Sequence, residues 1–328
     1  MSYFINSETN VRQYPDCEYA RFYQSEAQLG FWQQASLLST HYCFIPCERA
    51  KGCVVLLPGR AEPIIKYAEV IYELHQNGYT VFAVDHKGQG KSSRVLPNSH
   101  IGYIDDFDEY VEDIYHVLDK VLTPLLKEHQ QQDLAKYLLC HSMGGTIGCL
   151  LVQKYPRLFN KLVLSTPMLG VKSPLPEFML NLLLKFMVGV RRLLKLQITY
   201  FWGQSDYRAI AFYKNRLTHS EIRYRAFRAV MAAHPENQMG GISFEWLQKA
   251  LKAMQKVRAN AQSMLLPTLL LIAEDEQIVD NRYLRAFSAK MPNILQVDVP
   301  NARHEVLFEQ DAARGHALKQ IYAFFDQA

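Results

Sequence analysis

Short apolar runs alternate with helically spaced apolar positions over much of the chain. Two β-type runs, at residues 53–57 and 80–84, flank a stretch with helical spacing at 67–76. The same alternation continues with apolar runs at 137–140, 161–165, 268–272 and 294–299, and with a helical pattern at 144–154. Strands buried on both faces and separated by helices are typical of parallel sheets. The pattern therefore predicts an α/β fold with a mostly parallel central sheet flanked by helices.

The alternation stops between residues 166 and 263, where no clear strand pattern occurs and helices are predicted. Pro167, Pro174 and Pro176, at the start of this stretch, are typical of a linker. We therefore expect a core formed by residues 1–165 and 264–328, with a helical cap, or lid, inserted at 166–263.

Within the insertion, residues 177–196 are strongly apolar, with a narrow polar stripe at helical spacing formed by Asn181, Lys185, Arg192 and Lys195. Four basic residues in this stretch argue against a transmembrane span. Two interpretations remain open: the helix buries its apolar face on the core, or it lies in a membrane interface or lines a lipid pocket. Both hold if different faces of the helix are involved.

The insertion also carries the positive charge of the chain. Between Lys172 and Arg228 there are 11 Lys and Arg against 3 Asp and Glu, a net charge of +8, whereas the whole chain has +4. The small overall charge does not indicate nucleic-acid binding. A basic segment with a broad apolar face instead favours an anionic membrane surface as partner.

Composition places the chain among ordinary globular proteins, with 328 residues, 49% hydrophobic and 21% charged. Its six cysteines lack the spacing of a disulfide framework, which favours a reducing compartment, and the first residues lack the pattern of a secretory signal. No cofactor is indicated. His41, Cys43 and Cys47 lack the second ligand pair of a metal site, and Asp85 stands where a phosphate-binding loop ending in Gly-Lys-Ser needs Gly.

Residues 140–145 read Cys-His-Ser-Met-Gly-Gly at the end of an apolar run. A strand that ends in x-Ser-x-Gly-Gly and turns at once into a helix is the nucleophile elbow of a serine hydrolase. The tight turn lifts the Ser142 hydroxyl above the sheet edge and aims the first N–H groups of the helix at the substrate oxygen. Cys140 stands where this motif usually has its first Gly.

A serine nucleophile requires a base, and the base requires an orienting carboxylate. In hydrolases of this architecture the acid follows a late strand and the histidine follows the last one. His304 is the only histidine in the loop after the last predicted strand and is the expected base. The loop after the strand at 268–272 leaves the acid open among four carboxylates: Glu274, Asp275, Glu276 and Asp280.

The loop after the first central strand is expected to supply one N–H of the oxyanion hole. It reads Leu-Pro-Gly-Arg-Ala-Glu at residues 57–62, and Gly59 allows the backbone to approach a substrate closely. We expect the main-chain N–H groups of Arg60 and Met143 to form the oxyanion hole.

Seven segments carry a family resemblance: 58–62 (Pro-Gly-Arg-Ala-Glu), 66–69 (Lys-Tyr-Ala-Glu), 85–92 (Asp-His-Lys-Gly-Gln-Gly-Lys-Ser), 107–113 (Phe-Asp-Glu-Tyr-Val-Glu-Asp), 141–145 (His-Ser-Met-Gly-Gly), 273–282 and 304–309. Together they resemble the monoacylglycerol-lipase-like branch of the α/β-hydrolases, and within it the bacterial inner-membrane lysophospholipases. The last two segments are similar to the acid and histidine loops of this branch.

The acid of this branch is usually an Asp, followed by one residue, two apolar residues and a second Asp. Read without gaps, Glu276 takes the place of the acid and Asp280 is the second carboxylate. A shift of one residue makes Asp275 the acid. The resemblance therefore implies a catalytic triad of Ser142, Glu276 and His304, with Asp275 and Asp280 as alternative acids.

The resemblance also implies a function. It indicates a serine hydrolase that cleaves the acyl ester of lysophospholipids through an acyl-enzyme, with transfer of the acyl group to another lipid alcohol as a second activity. A monoacylglycerol lipase or general carboxylesterase is the enzymatic alternative, and a non-catalytic lipid-binding protein on a hydrolase fold is the alternative of another class. A cytoplasmic location, peripheral on the inner face of the cytoplasmic membrane, is expected.

Overall fold

The computed structural model describes residues 2–34 and 37–327, and within these ranges eight strands form one sheet. The strands are β1 (Gln28–Gln33), β2 (Ser39–Ile45), β3 (Gly52–Leu57), β4 (Tyr79–Val84), β5 (Lys136–His141), β6 (Lys161–Ser165), β7 (Thr268–Ala273) and β8 (Ile294–Val299). Their order across the sheet is β1-β2-β4-β3-β5-β6-β7-β8. Strands β3 to β8 run parallel, whereas β1 and β2 pair antiparallel at one edge.

Helices accompany the sheet along the chain. They are α1 (Glu8–Val11), α2 (Glu18–Glu26), α3 (Ala68–Gln76), α4 (Phe107–Val117), α5 (Thr123–Glu128), α6 (Met143–Lys154), α7 (Glu177–Leu193), α8 (Glu221–Ala233), α9 (Phe244–Ala259), α10 (Asn281–Ser288) and α11 (Asp311–Asp326). Short 3₁₀ turns lie at Ile64–Tyr67, Phe212–Lys214, Pro235–Asn237, Ala261–Ser263 and Val306–Phe308, and a π-helical turn lies at Leu118–Leu122. The predicted α/β fold with a mostly parallel sheet is confirmed.

Strand β3 shows why the central strands appear in the sequence as unbroken apolar runs. All its residues are buried. Cys53, Val55 and Leu57 pack into the layer that contains α4, α6 and α9. Val54 and Leu56 pack into the opposite layer, which contains α3 and α11. A strand covered on both faces needs apolar side chains at every position, not at every second one.

The six strands predicted from the pattern agree with β3 to β8 to within one residue at either end. The helix expected at 67–76 is preceded by the 3₁₀ turn Ile64–Tyr67 and continues as α3, and the helix expected at 144–154 is α6. The pattern does not predict β1 or β2. Strand β1 lies at the sheet edge, and its Leu29 and Phe31 are exposed, so burial imposes no apolar run there.

The chain between β6 and β7 forms α7, α8 and α9, and α7 packs against α9. Helix α7 buries Leu180 and Leu184 but exposes Phe178 and Leu182 by 73% and 69%. One face of α7 is therefore packed against protein, while another presents large apolar side chains outward. Within residues 2–34 and 37–327, no helix combines the length and the apolar character that crossing a membrane requires.

Candidate active site

The carboxyl edge of the parallel sheet gathers the residues singled out by the sequence. Ser142 follows β5, Glu276 follows β7 and His304 follows β8, while Arg60 lies in the loop after β3. Parallel strands bring their carboxyl ends to one edge, where ligands of α/β folds bind in the crevice between loops. Residues more than 160 positions apart in sequence, Ser142 and His304, are thereby in hydrogen-bond contact.

Ser142 occupies a sharp turn between β5 and α6. Its backbone has φ 50° and ψ −115°, a conformation that L-residues rarely adopt. A side chain at Gly144 would place its Cβ 2.2 Å from the carbonyl oxygen of Leu57, and one at Gly145 would lie 2.5 Å from the Cβ of Pro167. Only glycine fits these two positions, which explains the Gly-Gly pair that follows the serine.

Cys140, in place of the usual first Gly, is accommodated by Gly148 on α6. A Cβ on Gly148 would lie 2.5 Å from the Cys140 sulfur, so the missing side chain there leaves room for the thiol. Cys140 is fully buried, and burial raises the pKa of its thiol well above the ordinary value. The thiol therefore stays protonated and fills space between β5 and α6.

Ser142, His304 and Glu276 form one hydrogen-bonded relay. The Ser142 hydroxyl lies 2.8 Å from Nε2 of His304, and Nδ1 of His304 lies 2.8 Å from Oε2 of Glu276. Because an ionised Glu276 only accepts, Nδ1 carries a proton and Nε2 is left to accept from the serine. Thr166 fixes the backbone of the loop by donating to the His304 carbonyl oxygen at 2.7 Å.

Glu276 is held in its charged form by its partners. Burial alone would raise its pKa, but the neighbouring His304 ring, its hydrogen bond and those from the N–H groups of Ile278 and Val279 outweigh burial and lower the pKa. The two N–H groups lie 2.7 and 3.3 Å from Oε1, which leaves Oε2 for the histidine. A permanent negative charge therefore faces Nδ1 at neutral pH.

The other carboxylates of the acid loop have other partners. Asp275 is about half exposed and pairs with Arg303 and His219, each at 3.2 Å. Asp280 caps the N-terminus of α10 and pairs with Arg282 at 2.6 Å. Glu274 accepts from the N–H of Asn301. The structure thus brings Glu276 to His304 and directs the two alternative acids, Asp275 and Asp280, to other groups.

The two residues expected to supply oxyanion N–H groups lie in the helix that follows Ser142 and in the loop after β3. Met143 is the first residue of α6, where backbone N–H groups have no partner within the helix. Arg60 lines the same cavity as Ser142. Its guanidinium donates to the carbonyl oxygens of Gly240 and Gly241 at 2.9 and 2.5 Å, which ties this loop to the segment between β6 and β7.

Comparison with known proteins identifies the family. The family described as "Serine aminopeptidase, S33" matches residues 48–311. The chain belongs to this family of serine hydrolases. Lysophospholipase L2 of Escherichia coli (strain K12) is 36% identical over 281 residues, which cover 84% of this chain and 80% of that protein. The probable lysophospholipase L2 of Haemophilus influenzae is 32% identical over 291 residues, 88% of each chain.

A solved structure supports the fold. The soluble variant of monoglyceride lipase from Saccharomyces cerevisiae, in complex with a substrate analogue, superposes with a TM-score of 0.70 at 20% identity. The match covers 92% of this chain and 96% of that chain. The α/β-hydrolase architecture and the family resemblance expected from the sequence motifs are both confirmed.

A buried ionic cluster next to the relay is not predicted from the sequence. Glu62 lies 2.6 Å from Lys66, which also contacts Glu305 at 2.6 Å. Burial alone would raise the pKa of Glu62, but the charges of Lys66 and His141 and its hydrogen bonds lower it to about 2. Glu62, Lys66 and Glu305 each lie in a segment that carries the family resemblance, so the sequence draws attention to all three. Their contact with one another is visible only in the folded structure.

The relay opens into a cavity of about 550 Å3. Its walls are mostly apolar and come from both the sheet edge and the segment between β6 and β7. They include Met168, Leu175, Leu180, Leu183, Phe201, Trp202, Leu217, Ile242, Trp246, Leu247, Ile278 and Val279. A cavity of this size and lining suits an acyl chain better than a polar substrate.

No group of three His, Cys, Asp or Glu among residues 2–34 and 37–327 is arranged to hold a metal ion. His41, one of the residues weighed as a ligand, instead pairs with Asp85 at 2.7 Å. Cys43 is buried, and burial raises the pKa of its thiol to about 12. His41 is thus held by a carboxylate, and the buried Cys43 thiol stays protonated.

Two buried histidines near the site make stability depend on pH. Burial lowers the pKa of His86 and of His141 to about 4, against roughly 6.5 in an unfolded chain. The unfolded chain therefore binds more protons between these values, so their contribution to stability is complete above pH 6.5 and is lost as the pH falls towards 4. Each histidine should lower the free energy of unfolding by on the order of 3 kcal/mol across this window. Asp113 offsets part of this loss, because burial raises its pKa to about 6 and it takes up a proton more readily in the folded protein.

Urea unfolding at pH 7, 6, 5 and 4.5 measures this dependence. His141→Gln should reduce the pH dependence without abolishing it, because His86 remains, whereas His316→Gln, at an exposed position, should leave it unchanged. A stability that stays constant or rises as the pH falls from 7 to 4.5 would contradict the prediction.

Proposed function

We propose that this protein hydrolyses the acyl ester of lysophospholipids through an acyl-enzyme on Ser142. The observation that carries the proposal is the Ser142–His304–Glu276 relay, with both hydrogen bonds at 2.8 Å, whose Ser142 and His304 line a largely apolar cavity. The L2 lysophospholipases, at 36% and 32% identity over most of both chains, support the choice of substrate class.

In the proposed reaction, the Ser142 hydroxyl attacks the ester carbonyl while Nε2 of His304 takes its proton. The oxyanion that forms accepts from the N–H groups of Arg60 and Met143, and Glu276 stabilises the imidazolium. His304 then gives the proton to the departing alcohol, the glycerophospho part of the substrate. Water, activated by the same histidine, hydrolyses the acyl-enzyme. A second lipid alcohol in place of water gives transacylation from the same intermediate.

The enzymatic alternative is a monoacylglycerol lipase or general carboxylesterase, which the structural likeness to a monoglyceride lipase favours. The two substrate classes share the acyl ester and differ in the phosphate-bearing head group. Rates of fatty acid release from lysophospholipid and from monoacylglycerol, presented at equal acyl-chain length, separate them. We expect higher kcat/KM with the lysophospholipid. A clear preference for monoacylglycerol would contradict the proposed substrate and assign monoacylglycerol instead. No fatty acid release from either lipid would support the non-catalytic lipid-binding alternative.

We further propose that residues 166–263 act as a cap over the site, with residues 1–165 and 264–328 as the core. Three observations support this division. The cavity wall combines Gly59 and Ser142 with Leu180 and Leu247 from the segment between β6 and β7. Arg60 is hydrogen-bonded to that segment. Arg223 on α8 binds the buried Glu69 of α3 in a bidentate pair. The cap is thus anchored to the core on the α8 side.

The cap presents a docking surface, defined here as the exposed large apolar side chains of residues 175–213. Of the 18 such side chains in the described parts of the chain, 11 lie in this range: Leu175, Phe178, Met179, Leu182, Phe186, Leu193, Leu194, Leu196, Trp202, Ile210 and Tyr213. Leu175 and Trp202 also line the cavity. An apolar patch that borders the mouth of a lipid-binding cavity is suited to insertion into a membrane interface.

Fewer cations are available at this surface than the net charge of the segment indicates. Arg191 pairs with Glu245 at 2.9 Å, and Arg223 is buried against Glu69. Lys185, Arg192 and Lys195 are exposed and lie among the apolar side chains. Each cation near an anionic membrane contributes roughly 1 kcal/mol, and the effect fades over about 8 Å at physiological salt. These three charges therefore support reversible binding, and the exposed Arg208 adds a fourth.

Vesicle sedimentation tests this docking. We expect binding to vesicles that contain anionic lipid, weaker binding as salt rises, and a loss when Lys185, Arg192 and Lys195 are changed together to Gln. The matched control changes Lys127, Lys290 and Lys319, which are exposed elsewhere, to Gln and should bind as the wild type does. Equal binding to neutral and anionic vesicles, or equal loss in the control, would contradict the docking proposal and leave the catalytic proposal standing.

A further inference from the structure

The loop after β4, whose motif the triad does not use, is built around a buried carboxylate. Asp85 accepts from the N–H of Lys91 at 3.0 Å, and its carbonyl oxygen accepts from the Ser92 hydroxyl at 2.6 Å. Gly90 has φ +56°, and a Cβ there would lie 2.0 Å from the Asp85 carboxyl carbon. The loop is therefore tightly wound, and it presents the buried side chain of Gln89 to the neighbouring loop after β3.

Gln89 makes two hydrogen bonds to that neighbouring loop. Its Nε2 donates to the carbonyl oxygen of Gly59 at 2.9 Å, and its Oε1 accepts from the N–H of Ala61 at 3.2 Å. A carbonyl oxygen needs a donor and an N–H needs an acceptor, so only one orientation of the amide satisfies both. The two bonds hold the two peptide units on either side of Arg60.

The first of these bonds fixes the direction of the Arg60 N–H. The carbonyl of Gly59 and the N–H of Arg60 belong to one trans peptide unit, in which they point in opposite directions. With the carbonyl held by Gln89, the N–H must point away from Gln89, and Arg60 shares its cavity with Ser142. Glu62 holds the preceding peptide unit by accepting from the Gly59 N–H at 2.7 Å.

We infer that Gln89 is a positioning residue for the oxyanion hole, which acts by locking the peptide unit that carries the Arg60 N–H. The inference rests on the proposed function, since it assumes that this N–H stabilises the oxyanion. Removing an oxyanion donor outright costs about 10²- to 10³-fold in kcat. A donor left in place but free to rotate should cost less, about 10- to 100-fold. Substrate binding, which depends on the apolar cavity, should change little.

The experiment uses two variants of the full chain with a soluble short-chain ester. Gln89→Ala removes both bonds, whereas Gln89→Glu keeps the size of the side chain and an acceptor for Ala61 but cannot donate to Gly59. Measurements are kcat, KM, the thermal midpoint and the affinity for a boronic acid that mimics the tetrahedral intermediate. Gln131→Ala is the matched control, because Gln131 also bridges two segments, Cys47 and Thr80, near the amino end of β4.

We expect both Gln89 variants to lose kcat with KM nearly unchanged, and to lose boronate affinity by a similar factor, because both report on transition-state binding. Gln131→Ala should lower the thermal midpoint but leave kcat and boronate affinity of the folded protein nearly unchanged. The inference is overturned if the variants keep wild-type kcat, if kcat falls without loss of boronate affinity, or if activity falls only with the folded fraction. Loss of the proposed function is distinguishable, since hydrolysis by the wild type would then not depend on Ser142.

Discussion

Ser142→Ala is expected to lower ester hydrolysis by about 10⁴-fold or more, and His304→Ala to do the same. Ser142 and His304 share the 2.8 Å hydrogen bond through which the proton leaves the nucleophile, so either change alone stops acyl-enzyme formation. Because the two act as a unit, the double variant should be little worse than either single one. Initial rates of fatty acid release measure all three effects.

The two substitutions should leave the fold intact, which circular dichroism and the thermal midpoint check. Alanine has the same backbone restrictions as serine at the φ of 50° found at this position, so the substitution adds no strain to the turn. The close contacts of the turn depend on Gly144 and Gly145, which are unchanged. Near-normal turnover by a well-folded Ser142→Ala protein would remove the basis of the proposed mechanism. Additive losses in the double variant would show that the two residues act independently.

Glu276→Gln is expected to lower kcat by about 10⁴-fold with the protein still folded. The amide keeps the shape of the side chain but loses the negative charge 2.8 Å from Nδ1 of His304. The imidazolium then lacks its stabilising partner, and the wrong tautomer of the neutral ring is favoured. Initial rates with the same substrate as for the serine variant give the comparison.

Asp275→Asn and Asp280→Asn are the matched controls from the same loop. Asp275 is half exposed and pairs with Arg303, while Asp280 caps α10, a role that asparagine also fills. Both variants should keep near-normal kcat. If Asp275→Asn or Asp280→Asn loses activity while Glu276→Gln remains active, the aspartate whose substitution abolishes activity is the triad acid and the assignment to Glu276 is wrong.

The sheet was predictable because burial on both faces imposes apolar residues at every position of its central strands. Leu56 and Leu57, on neighbouring positions of β3, pack into opposite layers, and the sequence therefore shows one continuous run. Strand β1 has no such constraint, since Leu29 and Phe31 at the sheet edge face outward, and its pattern is not distinctive.

The site was predictable where one short segment carries the chemistry. Ser142 lies in a motif whose Gly-Gly pair is sterically required, and His304 is the sole histidine in its loop. For the acid, the family resemblance favoured Glu276 but left Asp275 and Asp280 as alternatives, because four carboxylates lie within seven residues. The fold places Glu276, and not these two, beside His304.

Contacts between distant segments were beyond the sequence. Lys66 pairs with Glu62 only four residues away, but its contact with Glu305 joins distant segments. The hydrogen bond from Gln89 to the loop after β3 is likewise a pairing that no local spacing encodes. The net charge of residues 166–263 likewise does not reveal which of their cations are available at the surface. That net charge counts Arg191, although that side chain is held by Glu245 within the protein.

The central claim is that lysophospholipid turnover proceeds through an acyl group on Ser142. The most direct measurement is acid quenching during turnover of a lysophospholipid of defined acyl chain, followed by mass spectrometry of the digested protein. The peptide that contains Ser142 should gain the mass of the fatty acid minus water, and the signal should be absent from Ser142→Ala. Continued release of fatty acid with no acylation of that peptide, or acylation at another residue that persists in Ser142→Ala, would contradict the claim.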